Sequence, residues 1–113
     1  MSPEQTGWVA GLIEGEGSFV SQTHANGRSY LGCKASSTDE FTARQLQGFA
    51  GGHVYGPYQP KRGPRQPVWT WQVWEAAAYD ALVCAVWHLL SPRRQARVLE
   101  KYDLWRSGHG RRV

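Results

Sequence analysis

The chain has 113 residues, 41% hydrophobic and 19% charged, with 13 Gly, 6 Pro, 6 Trp, 5 Tyr and 3 Phe. That is one domain with one modest core, which excludes a second domain within it, a coiled coil and a disordered tail. The net charge of +4 is uneven, with −2 on residues 1–50 and +6 on residues 51–113, and clustered Arg of this kind points to a polyanionic partner.

Ser2-Pro3-Glu4-Gln5 reads as a helix start, with Ser2 at the N-cap, Pro3 in the first turn and Gln5 closing a capping box. The helix should run to Glu16 and stop at Gly17 in the left-handed conformation. Gly7, Gly11 and Gly15 recur inside it at four-residue spacing, and each costs about 1 kcal/mol relative to alanine. Close packing within one chain would compensate that cost. A seam of Trp8, Gly11 and Gly15 meeting another helix across an interface, with Val9, Leu12 and Ile13 facing the core, would compensate it as well.

Two extended segments follow, Ser18–His24 and Ser29–Ser37, joined by Ala25-Asn26-Gly27, whose Asn-Gly pair is a strong hairpin signal. Asp39 then caps an amphipathic helix to about Ala50, anchored by Phe41, Leu46 and Phe49 and ended by Gly51-Gly52. A second hairpin spans His53–Tyr58 and Val68–Trp74 around a basic connection. Glu75–Leu90 is helical by pattern, and Ser91-Pro92 starts a last helix to about Trp105. Residues 1–106 form the domain, and residues 107–113 a frayed basic tail.

No apolar run reaches the roughly 18–20 residues of a membrane span, and the first residues lack a signal peptide's pattern, so a cytoplasmic location is expected. Cys33 and Cys84 fit no metal-ligand spacing and read as small buried thiols; His24, His53, His88 and His109 form no metal-binding pattern either.

Glu14 and Glu16 occupy the last turn of the first helix, where the macrodipole disfavours carboxylates, so a cation should be near. A surface lysine would suffice, but the first half of the chain places no basic residue beside this turn. A divalent ion held by carboxylate, backbone carbonyl and phosphate oxygens is the alternative.

Trp8-Val9-Ala10-Gly11-Leu12-Ile13-Glu14-Gly15-Glu16-Gly17-Ser18-Phe19 resembles the signature helix and exit of LAGLIDADG homing endonucleases. Val9 stands for the first Leu, Glu14 and Glu16 for the two Asp, and Gly15 for an Ala. Gly51-Gly52-His53-Val54-Tyr55 is similar to the family's entry to its third strand and Trp69-Thr70-Trp71-Gln72-Val73 to its fourth. Arg93-Arg94-Gln95-Ala96 is similar to the opening of its last helix, so the likeness covers residues 3–105 or so.

The resemblance implies an α+β, αββαββα fold with a four-stranded antiparallel saddle over DNA and C-terminal helices. One signature helix implies a homodimer joined through Trp8, Gly11 and Gly15. It implies metal-dependent hydrolysis of double-stranded DNA at specific sites, with Mg²⁺ or Mn²⁺ on Glu16 and the Gly15 carbonyl. Glu14 would cap or hydrogen-bond within the helix pair, and Arg93 would supply charge at the scissile phosphate. Strand alternation turns Tyr30, Lys34 and Ser36 away from Leu31, Cys33 and Ala35. With the family's strand positions, Gln22, His24, Asn26, Tyr55, Thr70 and Gln72 join the DNA-facing set, and Arg28, Lys61, Arg62 and Arg65 would hold phosphates. Two family positions differ: a frequent Gln at the end of strand two aligns with Ser37, and a frequent Lys before the last helix aligns with Pro92. A DNA-binding regulator without catalysis and an RNA-splicing maturase on the same fold are the alternative readings.

Overall fold

The capping box forms as its residues dictate: Gln5 N–H donates to Ser2 Oγ at 3.1 Å and Ser2 N–H to Gln5 Oε1 at 2.9 Å. From there the computed structural model describes residues 1–61 and 66–110. The elements are α1 (Pro3–Glu16), β1 (Gly17–Thr23), β2 (Ser29–Ser37), α2 (Glu40–Ala50), β3 (His53–Tyr58), β4 (Val68–Val73), α3 (Ala76–Val86), a 3₁₀ turn (Trp87–Leu89) and α4 (Pro92–Gly110). The α+β reading and its element order hold.

The four strands form one antiparallel sheet in the order β1-β2-β4-β3. Phe19 lies opposite Cys33, Cys33 opposite Val73, and Ala35 opposite Trp71, so these side chains share one face. On that face they meet Val9, Ile13, Leu46, Leu82, Val86 and Val98 from the helices in a single core. The helices thus cover one side of the sheet and leave the other uncovered among the described residues. Trp71 is fully buried at the centre, its Nε1–H donating to the Gly51 carbonyl at 2.7 Å. That bond satisfies the indole's one polar group inside the core.

Four local expectations change. Gly17 is extended, with φ −90° and ψ 165°, not left-handed; a Cβ there would lie 2.8 Å from the Ile13 carbonyl oxygen, so crowding is what requires glycine. Phe41 is 70% exposed and anchors nothing; Ala43 and Leu46 are the buried residues of α2, with Phe49 half-buried beside them. Cys84 is exposed, whereas Cys33 is fully buried and burial pushes its thiol up to about 12. The last helix continues past Trp105 to Gly110, because extending an existing helix needs no new nucleus.

Among the described residues no helix is long and apolar enough to cross a membrane.

Candidate functional site

The sheet's uncovered face is set by strand parity and register. Gln22 lies opposite Tyr30, Ser18 opposite Lys34, Lys34 opposite Gln72, Ser36 opposite Thr70, and Tyr55 opposite Thr70 on its other side. The eight residues Ser18, Gln22, Tyr30, Lys34, Ser36, Tyr55, Thr70 and Gln72 therefore share one surface, and none is a carboxylate. Ser36 and Thr70 join their hydroxyls at 3.2 Å, and the His24 ring stands edge-on to Tyr30 at 4.9 Å. Asn26 behaves differently from the expectation of a free groove residue. Its Oδ1 accepts from Arg28 N–H at 2.9 Å, so the side chain builds the hairpin turn. Arg28 is exposed at that turn and Lys61 is exposed beyond β3. Arg62 and Arg65 lie outside the described residues.

Besides Ser18, two further residues of this face, Trp74 and His53, are not assigned to it by the sequence. Trp74 follows Gln72 by two positions, and its Nε1–H donates to Gln72 Oε1 at 2.8 Å. His53 lies opposite Gln72 and 3.8 Å from Glu75. Period-two alternation continued one step beyond Gln72, and across the β3–β4 pair, identifies both.

At the end of the sheet where α1 delivers the chain into β1, the two acids separate into two environments. Glu14 is bound within its own chain: Ser91 N–H donates to Oε1 at 2.8 Å and the Ser91 hydroxyl to Oε2 at 2.9 Å. Arg94 Nε lies 3.7 Å and Arg93 Nη2 3.9 Å from Oε2. Glu14 thus caps the start of α4 in its own chain, and the cation demanded by the α1 terminus comes from α4 as well. Arg94 also donates from Nη1 to the Gly17 carbonyl at 2.7 Å and from Nη2 to the Glu14 carbonyl at 2.9 Å. Those carbonyls are orphans of the helix end, and a guanidinium satisfies them while opposing the dipole.

Glu14 is thereby held below the ordinary carboxylate range, chiefly by the Ser91 backbone hydrogen bond and, more weakly, by Arg94 and Arg93. A lowered folded-state value means that Glu14 stabilises the fold fully above its ordinary value of 4.5, and that this contribution is lost as pH falls through the folded value. Acid titration of stability should therefore flatten in Glu14→Gln. Arg94→Ala, which strips two helix-end carbonyls and the Glu14 carboxylate of their partner, should cost about 3 kcal/mol in chemical denaturation.

Glu16 is exposed and makes no hydrogen bond or ion pair among the described residues. The Gly15 carbonyl is in the last turn, past the reach of the helix's own N–H groups. A carboxylate beside a backbone carbonyl is a hard-oxygen donor pair suited to Mg²⁺ or Mn²⁺, which keep several waters and take few protein ligands. Among the described residues no group of three His, Cys, Asp or Glu gathers to enclose a metal. Arg93, 79% exposed in its side chain, stands at the start of α4 on the same side as Glu14. Ser37 turns its hydroxyl to the Asp39 N–H at 3.0 Å, so it serves the entry to α2.

The remaining face of α1 is bare. A Cβ built on Gly7, Gly11 or Gly15 meets nothing within 4 Å. At 3.6 residues per turn these positions lie on the side of α1 opposite buried Val9 and Ile13, with buried Ala10 at the border between the two sides. Trp8 borders this face but packs within the chain, edge-on to Phe49 at 5.5 Å.

No family model matches the sequence, and no curated protein matches it. Solved structures do match in shape. The homing endonuclease I-CvuI, solved with its target in the presence of Ca, superposes with a TM-score of 0.67 at 15% identity, over 88% of this chain and 64% of that one. The chain has the LAGLIDADG homing endonuclease fold. The homing endonuclease I-TnaI gives a TM-score of 0.66 at 15% identity over 88% of this chain and 70% of that one. The LAGLIDADG meganuclease I-AabMI, bound to uncleaved DNA, gives 0.67 at 14% identity over 82% of this chain and 32% of that one. The chain thus spans about two thirds of I-CvuI and about a third of I-AabMI. In this fold the sheet surface left bare is the face opposite the helices.

Proposed function

We propose that the protein is a homodimeric, metal-dependent endonuclease that cuts double-stranded DNA at specific sites. The observation carrying the reading is the first helix: Gly7, Gly11 and Gly15 line its outward side beside exposed Glu4, and it ends in an exposed Glu16, unbonded among the described residues, next to a sheet surface whose strand residues include no carboxylate. Three glycines that destabilise a helix and contact nothing in their own chain are explained by a second helix approaching closely. A second copy of this chain supplies it, and the two-fold relation brings one Glu16 from each copy toward the axis, one per DNA strand.

Glu16 and the Gly15 carbonyl hold a Mg²⁺ or Mn²⁺ ion, which when bound supplies an activated water and stabilises the leaving 3′ oxygen. The chain's own residues do the rest. Arg93 offers a permanent positive charge to a phosphate, and its guanidinium stays protonated, so it positions and does not act as a base. Arg94 and Ser91 fix the end of α1 through Glu14, which holds the Glu16 backbone in place. Gln22, Tyr30, Lys34, Ser36, Tyr55, Thr70 and Gln72 face the groove, where amides and lysine discriminate base edges. Arg28 and Lys61 sit at the rim, suited to phosphate contacts.

One observation favours a second reading, that of a DNA-binding regulator. Ser37 spends its hydroxyl on α2, and Pro92 stands where relatives of this fold often carry Lys. Incubation with a randomised duplex library and Mg²⁺, followed by sequencing of ends, separates the two. Site-specific double-strand ends are expected; selective binding without cut ends would establish the regulator instead.

A further inference from the structure

We infer that Trp74 is a positioning residue that fixes which hydrogen-bonding group Gln72 offers to a DNA base, so that Gln72 reads guanine and not adenine. The inference rests on the proposal that the uncovered sheet face binds DNA. The indole N–H is a donor with no acceptor capacity, so the Gln72 amide atom 2.8 Å from it is the oxygen. The amide is therefore held with its oxygen toward Trp74 and its NH₂ turned away.

The indole is itself held in place. Gly32 makes the room: a Cβ there would stand 2.5 Å from the ring's Cε3. Lys34 Nζ lies 5.3 Å from the ring centroid, a cation–π contact on the same surface. Trp74 is not one of the residues packed on the hydrophobic core, and it borders an open cavity of about 880 Å³ between β2 and α3. Its ring does not serve to fill the interior.

A glutamine free to turn reads adenine by accepting from N6 and donating to N7. With its oxygen turned to Trp74, Gln72 leads with its NH₂ donors, and the base edge with two adjacent acceptors in the major groove is guanine, through N7 and O6.

Selection of bound sites from a randomised duplex library, without divalent cation, tests this on the full chain. Gln72→Ala locates the base pair it reads, by loss of preference at one position of each half-site. Wild type should favour guanine over adenine there by roughly ten-fold or more. Trp74→Phe should bring that ratio to within about two-fold while leaving the other positions and the melting temperature unchanged. Gln72→Glu keeps an oxygen on Trp74 and presents the other, which should move the preference to cytosine through its N4 amino group. Because Gln72→Glu leaves the indole in place, it decides the matter even if Trp74→Phe folds poorly. Adenine at the Gln72 position in wild type, or no positional effect of Gln72→Ala, overturns the proposal. So does an unaltered profile in Trp74→Phe or Gln72→Glu. Absence of any selected sequence in wild type rejects the DNA-binding reading itself.

Discussion

Glu16→Gln should reduce DNA cleavage by roughly three orders of magnitude or more, because the charge stabilisation supplied by a bound divalent ion is worth several kcal/mol. The amide retains the size of the side chain and loses the charge that holds the ion. Folding should be unaffected, since Glu16 is exposed and bonded to nothing among the described residues. Selective DNA binding should also survive, because the sheet face is untouched. Glu14→Gln is the matched control. Its two Ser91 bonds make it structural, so the expected change is in stability and its pH dependence, with a far smaller change in cleavage. Gel assays of single-site cleavage at fixed Mg²⁺, with thermal melts of both variants, read the contrast. Wild-type cleavage by Glu16→Gln would remove this acid from the reaction.

The two acids also mark where sequence reading succeeds and where it stops. Local chemistry was legible: the Ser2–Gln5 capping box, the Asn26–Gly27 turn, the Asp39 cap and the alternation along β2 all depend on neighbours a few residues away. That alternation placed Tyr30, Lys34 and Ser36 on the uncovered face, the resemblance added Gln22, Tyr55, Thr70 and Gln72, and Ser18, Trp74 and His53 were missed. What escaped depends on partners distant in the chain. Ser91 reaches Glu14 across 77 positions, and Arg94 reaches the Gly17 carbonyl across the same span, so no local pattern shows why the end of α1 tolerates a carboxylate. Phe41 fails for the opposite reason. Its apolar side chain suggests burial, but at about 100° per residue it lies on the side of α2 opposite buried Ala43 and Leu46. Gly17 is a local case: the chain leaves α1 there in an extended conformation that presses the Cα against the Ile13 backbone one turn earlier, and a glycine in the sequence does not tell that exit from a left-handed one.

Gly11→Leu should abolish dimerisation and DNA cleavage together while the monomer stays folded. Within the chain the substitution is harmless: a side chain at position 11 meets no atom within 4 Å of its Cβ, and replacing a mid-helix glycine gains about 1 kcal/mol of helix propensity. Across a two-fold seam the same leucine is inserted twice into the closest approach of two backbones. Overpacking of a close interface costs about 1–3 kcal/mol at each site, so association should weaken by roughly 100-fold or more. Sedimentation should then report a monomer whose melting temperature, measured at low concentration, equals or exceeds that of wild-type monomer. Cleavage should vanish because a lone copy brings one Glu16 to a duplex with two strands. Gly11→Ala sets the scale, adding a single methyl and weakening association in the same direction by less. If the leucine variant sediments as a monodisperse dimer, the bare face of α1 is not the seam, and its three glycines need another partner.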